Sequence, residues 1–341
     1  MTRLALRRGR VASVEAHGPA TRLTVELREG ERRPALALTA LVGEVEPGDD
    51  VVVNAAALDL GLGSGGFDVV HVNLTRGLDA PAVPGEALKL NYSSLQHAVD
   101  PVEVGAGDPL ARRPLDAPVG VLALHGHLAP AAWALARRAP GARVGYVQSP
   151  GGALPGALSD TVRALRRRGL LAGHVTAGPC FGGEEEAVTV AGALHAGLAR
   201  LGWDAALVGP GPGIVGSSSA LGHGGLAALD SLHAALSLGA RGVLVPRMSS
   251  GDPRPRHRGL SHHTRTVLAL LLRPVAVAVP SGREGDVPPP HEARARPAAL
   301  EHYADSGLLA PTMGRGVDED ALFFGAALAG GVVVAEEIHG L

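Results

Sequence analysis

Cysteine is nearly absent from this chain. Cys180 is the single thiol, so an internal disulfide framework is excluded. Lysine is as scarce: of 31 Lys plus Arg, only Lys89 is a lysine. A Walker-type phosphate loop, G-x-x-x-x-G-K-[ST], therefore cannot be present, and ordinary P-loop kinase or GTPase chemistry is ruled out. Aromatic residues make up 3% and the net charge is −2. With no reader motif either, nucleic acid is not an expected partner. The longest hydrophobic stretch without a formal charge, Ala321 to Ala335, has 15 residues and three glycines, which reads as too short and too glycine-rich for a spanning helix. MTRLALRRGR at the start lacks the apolar segment of a secretory signal. No membrane partner and a cytoplasmic location are the expectations.

What is present is a globular composition, 46% hydrophobic and 19% charged. The length of 341 residues suggests two units. Arginine is the default cation, as a GC-rich coding bias would make it, so an arginine in a motif is weaker evidence here than usual. Residues the bias disfavours carry more weight. Asparagine, lysine and glutamine occur six times, and Asn54, Asn73, Lys89, Asn91 and Gln96 fall between positions 54 and 96. Amides donate and accept together and lysine is a compact titratable charge, so alanine or arginine cannot replace them. Turn chemistry is the plainer explanation.

Residues 9–75 read as short valine-rich strands, GRVASVEA, TRLTVEL, PALALTAL, DDVVVNAA and FDVVHVNL, punctuated by glycine. A small β-barrel or β-sandwich is expected over 1–75, and an irregular segment with a linker over 76–117. From 118 to 341 the rhythm is strand–helix–strand. VGVLALHG, RVGYVQSP, LLAGHVTAG, DAALVGPG, RGVLVPRM and PVAVAVPSG alternate with helical stretches at 131–138, 159–168, 184–201 and 225–238. Further helices are expected near 297–306 and 318–329, a loop over 284–297 and a last strand at VVVAEEI. The fold class is α/β, a mostly parallel, Rossmann-like sheet with helices on both faces. Ligands in such sheets bind outside the carboxyl ends of the strands.

The most informative segment is Met248 to Thr264, MSSGDPRPRHRGLSHHT. Arg254, Arg256, His257 and Arg258 crowd before a helix start that Ser261 can cap, leaving free N–H groups for an anion. His262 and His263 add acid–base or metal chemistry. The plainer alternative is a capped surface helix behind an arginine-rich loop. Next is VGPGPGIVGSSSALGHGG, where Gly211, Gly213 and Gly216 satisfy G-x-G-x-x-G after a strand. Pro212 and the serines break the Rossmann pattern, so nicotinamide binding is not expected. A glycine–serine loop using Ser217 and Ser218 to hold a phosphate is. LGLGSGGFD repeats the glycine spacing at Gly61, Gly63 and Gly66 between strands, which suits a turn or a lid. His125 and His127 end the first α/β strand, and extended backbone would place both imidazoles on one side as a metal pair. Cys180, before GGEEE, reads as near a helix N-terminus or as a buried small residue. Glu184–Glu186 and Asp318–Asp320 read as helix-opening charges.

The combination NAAALDLGLGSGGFDVV, LKLNYSSLQHA, GPGPGIVG, DPRPRHRGLSHHT and TMGRG resembles a bacterial family known as domain of unknown function 3866, over nearly the whole chain. The resemblance implies that both halves belong to one protein and transfers no catalytic residue. The expectation is an enzyme acting on a small anionic substrate, a phosphate- or carboxylate-bearing compound. Gly211, Gly213, Gly216, Ser217, Ser218, Ser261, Asn54 and Asn91 would bind it and Arg254, Arg256 and Arg258 would neutralise it. His257, His262, His263 and Lys89 would move protons. The alternatives are a sensor or regulatory module without turnover, and a metal-dependent hydrolase built on His125 and His127 with His262 or His263. Cofactor and oligomeric state stay open.

Overall fold

A computed structural model describes residues 3–62, 65–308 and 312–340, and divides the chain into units 1–99 and 100–341. The division falls inside the segment expected to be irregular. The first unit runs β1 (Leu6–Ala16), β2 (Ala20–Leu27), β3 (Arg32–Leu38), α1 (Thr39–Val42), β4 (Asp50–Asn54), α2 (Ala56–Asp59), β5 (Asp68–Asn73), β6 (Ala87–Lys89) and β7 (His97–Val99). Five of its strands close into a barrel, in the order β1-β2-β3-β5-β4. Alternation drives this: in β2 the buried positions Thr21, Leu23, Val25 and Leu27 share one face. They fill the interior with Val11, Ala35, Val51, Val53 and Val70. Two register shifts in β1, between Val11 and Ser13 and between Val14 and Ala16, give the curvature that closure needs.

The second unit runs β8 (Pro118–Leu122), α3 (Leu128–Arg138), β9 (Val144–Ser149), α4 (Asp160–Arg167), β10 (Gly173–Ala177), β11 (Glu185–Ala187) and α5 (Val190–Ala199). Then come β12 (Ala205–Pro210), α6 (Ala227–Ser237), β13 (Arg241–Val245), β14 (Met248–Ser249), β15 (Gly259–Leu260) and α7 (His262–Leu270). It ends with β16 (Ala276–Pro280), β17 (Glu292–Arg296), α8 (Leu300–Ala304) and α9 (Ala321–Ile338). The sheet has eight strands in the order β11-β10-β9-β12-β8-β13-β16-β17, and every pairing is parallel. Helices cover both faces. One core joins the sheet to residues of α3, α4, α8 and α9, the other to residues of α5, α6 and α7. The first strand of this unit, β8, is fully buried and lies between β12 and β13. Connections leave it in both directions along the sheet, so the carboxyl ends of β8, β12 and β13 form the switch point at which such sheets bind ligands.

Three expectations are corrected. VVVAEEI is not a strand but the end of α9, which runs unbroken through Gly330 and Gly331. These glycines admit close neighbours: a Cβ on Gly331 would lie 2.1 Å from the Ala131 carbonyl, and one on Gly330 2.5 Å from Val245 Cγ2. Packing has thus overridden the β propensity of the valines. At 18 residues and mean hydropathy 1.7, α9 is long and apolar enough to cross a membrane, yet 67% of it is buried inside the unit. Second, the stretch expected as a loop over 284–297 contains edge strand β17, whose Arg294 and Arg296 reach Glu337 and Glu336 of α9. Third, Glu184–Glu186 do not open a helix. They precede or form β11, and α5 starts at Val190.

Candidate functional site

After β13 the chain makes an excursion whose base is pinned shut. Met248 pairs with Leu260 and Ser249 with Gly259. The Ser261 amide donates to the Arg247 carbonyl at 2.9 Å, and the Arg247 amide to Thr264 Oγ1 at 2.9 Å. Ser261 caps α7, its Oγ accepting from the His263 amide at 3.2 Å, as the sequence anticipates.

Inside this loop lies a buried ionic cluster. Asp252 is fully buried and its Oδ2 accepts from Arg247 Nη2 at 3.1 Å and Arg254 Nη2 at 2.8 Å. Arg315 Nη2 stands 3.7 Å from the same oxygen. Arg254 closes the other side with its Nε and its own amide on Oδ1, at 2.9 and 3.0 Å. Burial pushes the Asp252 carboxyl up, but bonds and charge from Arg254 and charge from Arg247 outweigh it and hold the group well below the usual carboxylate range. Burial, with the repulsion of Arg254 and Arg315, brings Arg247 down to about 10. A second buried carboxylate, Asp320 at the start of α9, accepts from Ser249 Oγ at 2.6 Å, the Ser250 amide at 2.7 Å and Arg315 Nε at 3.1 Å. Three guanidinium groups thus face two carboxylates. Among the described residues, Arg247 Nε and Arg315 Nη2 are buried without a hydrogen-bond acceptor.

Against this cluster sit four imidazoles. His223 stacks on His263 with centroids 3.7 Å apart and planes 10° apart. His262 lies 4.4 Å from His263, and His257 4.9 Å from both. His257 Nδ1 and Ser261 Oγ are 2.7 Å apart, and Arg247 Nη1 reaches His263 Nδ1 at 3.3 Å. Burial first, then the arginines, lowers His257 to about 3, while burial and His223 lower His263 to about 2. His262 and His223 are lowered too, by burial above all. The rings are therefore neutral near pH 7.

The two segments singled out separately in the sequence meet here. The 208–225 loop is an irregular hairpin, with Gly216 bridged to His223 and the Gly224 amide on the Val215 carbonyl, and this delivers His223 to the cluster. The expected glycine–serine grip on an anion is a correction. Ser217 spends its hydroxyl on the Gly222 carbonyl and Ser218 is exposed. Gly211 is small for another reason, since a Cβ there would lie 2.2 Å from the Ala153 carbonyl. Gly213 serves a left-handed turn at φ +68°. The helix starts only at Ala227, so the amides of 211–218 do not feed a helix N-terminus.

Of the expected arginines, Arg254 is committed to Asp252, Arg258 Nε donates to the Asp252 carbonyl at 3.1 Å, and Arg256 is exposed. His125 and His127 do not form the expected metal pair, because β8 ends at Leu122 and 125–127 is a 3-10 turn. His125 bonds through both nitrogens, to the Pro210 carbonyl at 3.1 Å and Ser159 Oγ at 2.9 Å. His127 packs on Phe323 at 4.5 Å. Cys180 is buried, and α5 starts ten residues after it. Asn54, Lys89 and Asn91 belong to the first unit: Asn54 Oδ1 accepts from the Ala56 amide, Lys89 is buried and Asn91 exposed. Of the expected glycine turn, Gly61 and Gly66 take positive φ, and Gly63 lies outside the described residues.

Sequence reasoning missed Arg247, Asp252, His223, Arg315 and Asp320 as site members. Arg315 lies in the TMGRG segment and His223 beside the glycine loop, so a signal existed for those two. A family model described as "Protein of unknown function (DUF3866)" matches residues 34–331. No curated protein and no solved structure matches the chain.

Proposed function

The chain belongs to the DUF3866 family of proteins of unknown function, and from that premise we propose that it is an enzyme acting on a small phosphate- or carboxylate-bearing substrate held at the carboxyl ends of β8, β12 and β13. One observation carries the reading: Arg247 Nε and Arg315 Nη2 are buried donors with no hydrogen-bond acceptor among the described residues, in a cluster with more guanidinium than carboxylate charge. A buried donor left unmade costs about 1–3 kcal/mol, more when charged, and an anionic oxygen offers the missing acceptor. Arg256 and Arg258 at the exposed rim add attraction for an approaching anion. His262, half-buried with an Nε2 that has no hydrogen-bond partner among the described residues, would serve the reaction here as a proton carrier or, where a metal is bound, as its ligand.

A second reading, a binding module without turnover, draws on a specific feature. His257 and His263 titrate at about 3 and about 2 because they are buried, far from the range in which a shuttle works best. Incubating the protein with a panel of phosphate esters, nucleotides and carboxylic esters, and following product by phosphate release and mass spectrometry, separates the two. Turnover lost in His262→Ala supports the enzyme. A ligand that binds but is returned unchanged supports the module.

A further inference from the structure

We propose that His257, His262 and His263, with His223 stacked beside them, bind a divalent transition-metal ion, Zn²⁺ foremost. One ring nitrogen of each of the first three lies within 4.8 Å of the others. A tetrahedral Zn²⁺ with bonds of about 2.0–2.1 Å requires ligand nitrogens roughly 3.3 Å apart. The rings thus have to close by about an ångström and a half, within reach of small χ rotations. The donor set suits this ion class: neutral imidazoles take zinc and its neighbours, whereas calcium and magnesium want oxygen.

Three further observations point to a ligand. Among the described residues His262 Nε2 is buried with no hydrogen-bond partner, and a lone pair turned into a polar cluster without a donor is what a metal satisfies. Ser261 Oγ, 2.7 Å from His257 Nδ1, can accept from an Nδ1–H. That tautomer frees Nε2 for coordination, the usual outer-shell arrangement of a metal-bound histidine. The histidines also arrive on rigid supports, since α7 carries His262 and His263, and Ser261 fixes the start of that helix. The three guanidinium groups alongside oppose a cation, but Asp252 and Asp320 offset two of those charges. Arg247 would release His263 Nδ1, a contact already at the long end for a hydrogen bond at 3.3 Å.

The test uses the full chain without an affinity tag, stripped with chelator and titrated with Zn²⁺ alone by calorimetry. One Zn²⁺ per chain is expected. His262→Ala should weaken binding at least tenfold and Ser261→Ala roughly tenfold, as outer-shell losses do. His302→Ala, an exposed histidine of α8, should change nothing. If a variant misfolds by circular dichroism, X-ray absorption on the unaltered protein decides, with a nitrogen shell at about 2.0 Å expected. No stoichiometric binding, binding unaltered in a folded His262→Ala, or an all-oxygen shell would each overturn the proposal. Because no anion is added, a failure here leaves the substrate-anion reading standing.

Discussion

Asp252→Asn is the sharpest test of the electrostatic architecture. The carboxylate is fully buried and shared by Arg247, Arg254 and Arg315. Arg247 itself is 2% exposed, so it cannot turn to water when its partner is lost. Breaking a buried pair by removing one partner costs about 3–5 kcal/mol, because the other charge is stranded. Asparagine keeps the shape and an acceptor for the Arg254 amide, but it removes the charge and can turn N–H groups toward guanidinium N–H groups. Against a total stability of about 5–15 kcal/mol for a domain, the loss is large. Urea unfolding followed by circular dichroism measures it, with Arg256→Ala at the exposed rim as a control expected within about 0.5 kcal/mol of the parent. The sign with pH is also fixed. A carboxyl held below its ordinary pKa contributes stability above that pKa and loses it as pH falls through the folded value. The gap between parent and variant should therefore persist through mildly acidic solution and close only below the ordinary carboxylate range. A loss under about 1 kcal/mol at pH 7 would refute the account of Asp252 as hub. Partial recovery in Asp252→Asn/Arg247→Met would support it, since an apolar replacement leaves no stranded charge.

Two further outcomes follow from buried groups away from this cluster. His127 and His174 are lowered by burial to about 3 and about 4, so their neutral forms support the fold above pH 6.5 and that support is lost as pH falls toward the folded values. At pH 5 each should cost about 2 kcal/mol, read as a loss of unfolding free energy between pH 7 and 5 that is smaller by about 2 kcal/mol in His174→Gln; an unchanged loss would sink the assignment. Gly145→Ala should destabilise by about 1–3 kcal/mol, because its Cβ would fall 2.1 Å from the Trp203 ring. Urea titration with tryptophan fluorescence checks this, and a neutral result would mean the indole has room to move.

The fold was largely legible because its strands are apolar runs of the right length. VGVLAL, DAALVG and RGVLV can bury themselves only in the middle of a sheet, and they became β8, β12 and β13. Where the reading failed, a tertiary contact had overridden local chemistry. The arginines of β17 look like loop residues until Glu336 and Glu337 of α9 are seen facing them. The valines of α9 look like a strand until Gly330 and Gly331 are seen pressed against β13 and α3. The site was half legible. Asp252, His257, Ser261, His262 and His263 lie in one segment that stands out for its charge and histidine density. Arg315 and Asp320 lie more than fifty residues on and His223 well before, and nothing local announces that the sheet returns them to one place. The serines at 217 and 218 misled because a glycine–serine turn satisfying its own hydroxyls looks the same in sequence as one waiting for a phosphate.

The central claim, that buried guanidinium donors await an anionic substrate, is tested most directly by calorimetric titration of the full chain with inorganic phosphate, pyrophosphate and a set of small carboxylates. The same titrations are run on Arg315→Ala and on the exposed-loop variant Ser218→Ala. The account predicts saturable binding of at least one of these anions, weakened tenfold or more in Arg315→Ala and unchanged in Ser218→Ala. No binding by any of them, or equal affinity in parent and a folded Arg315→Ala, would contradict it.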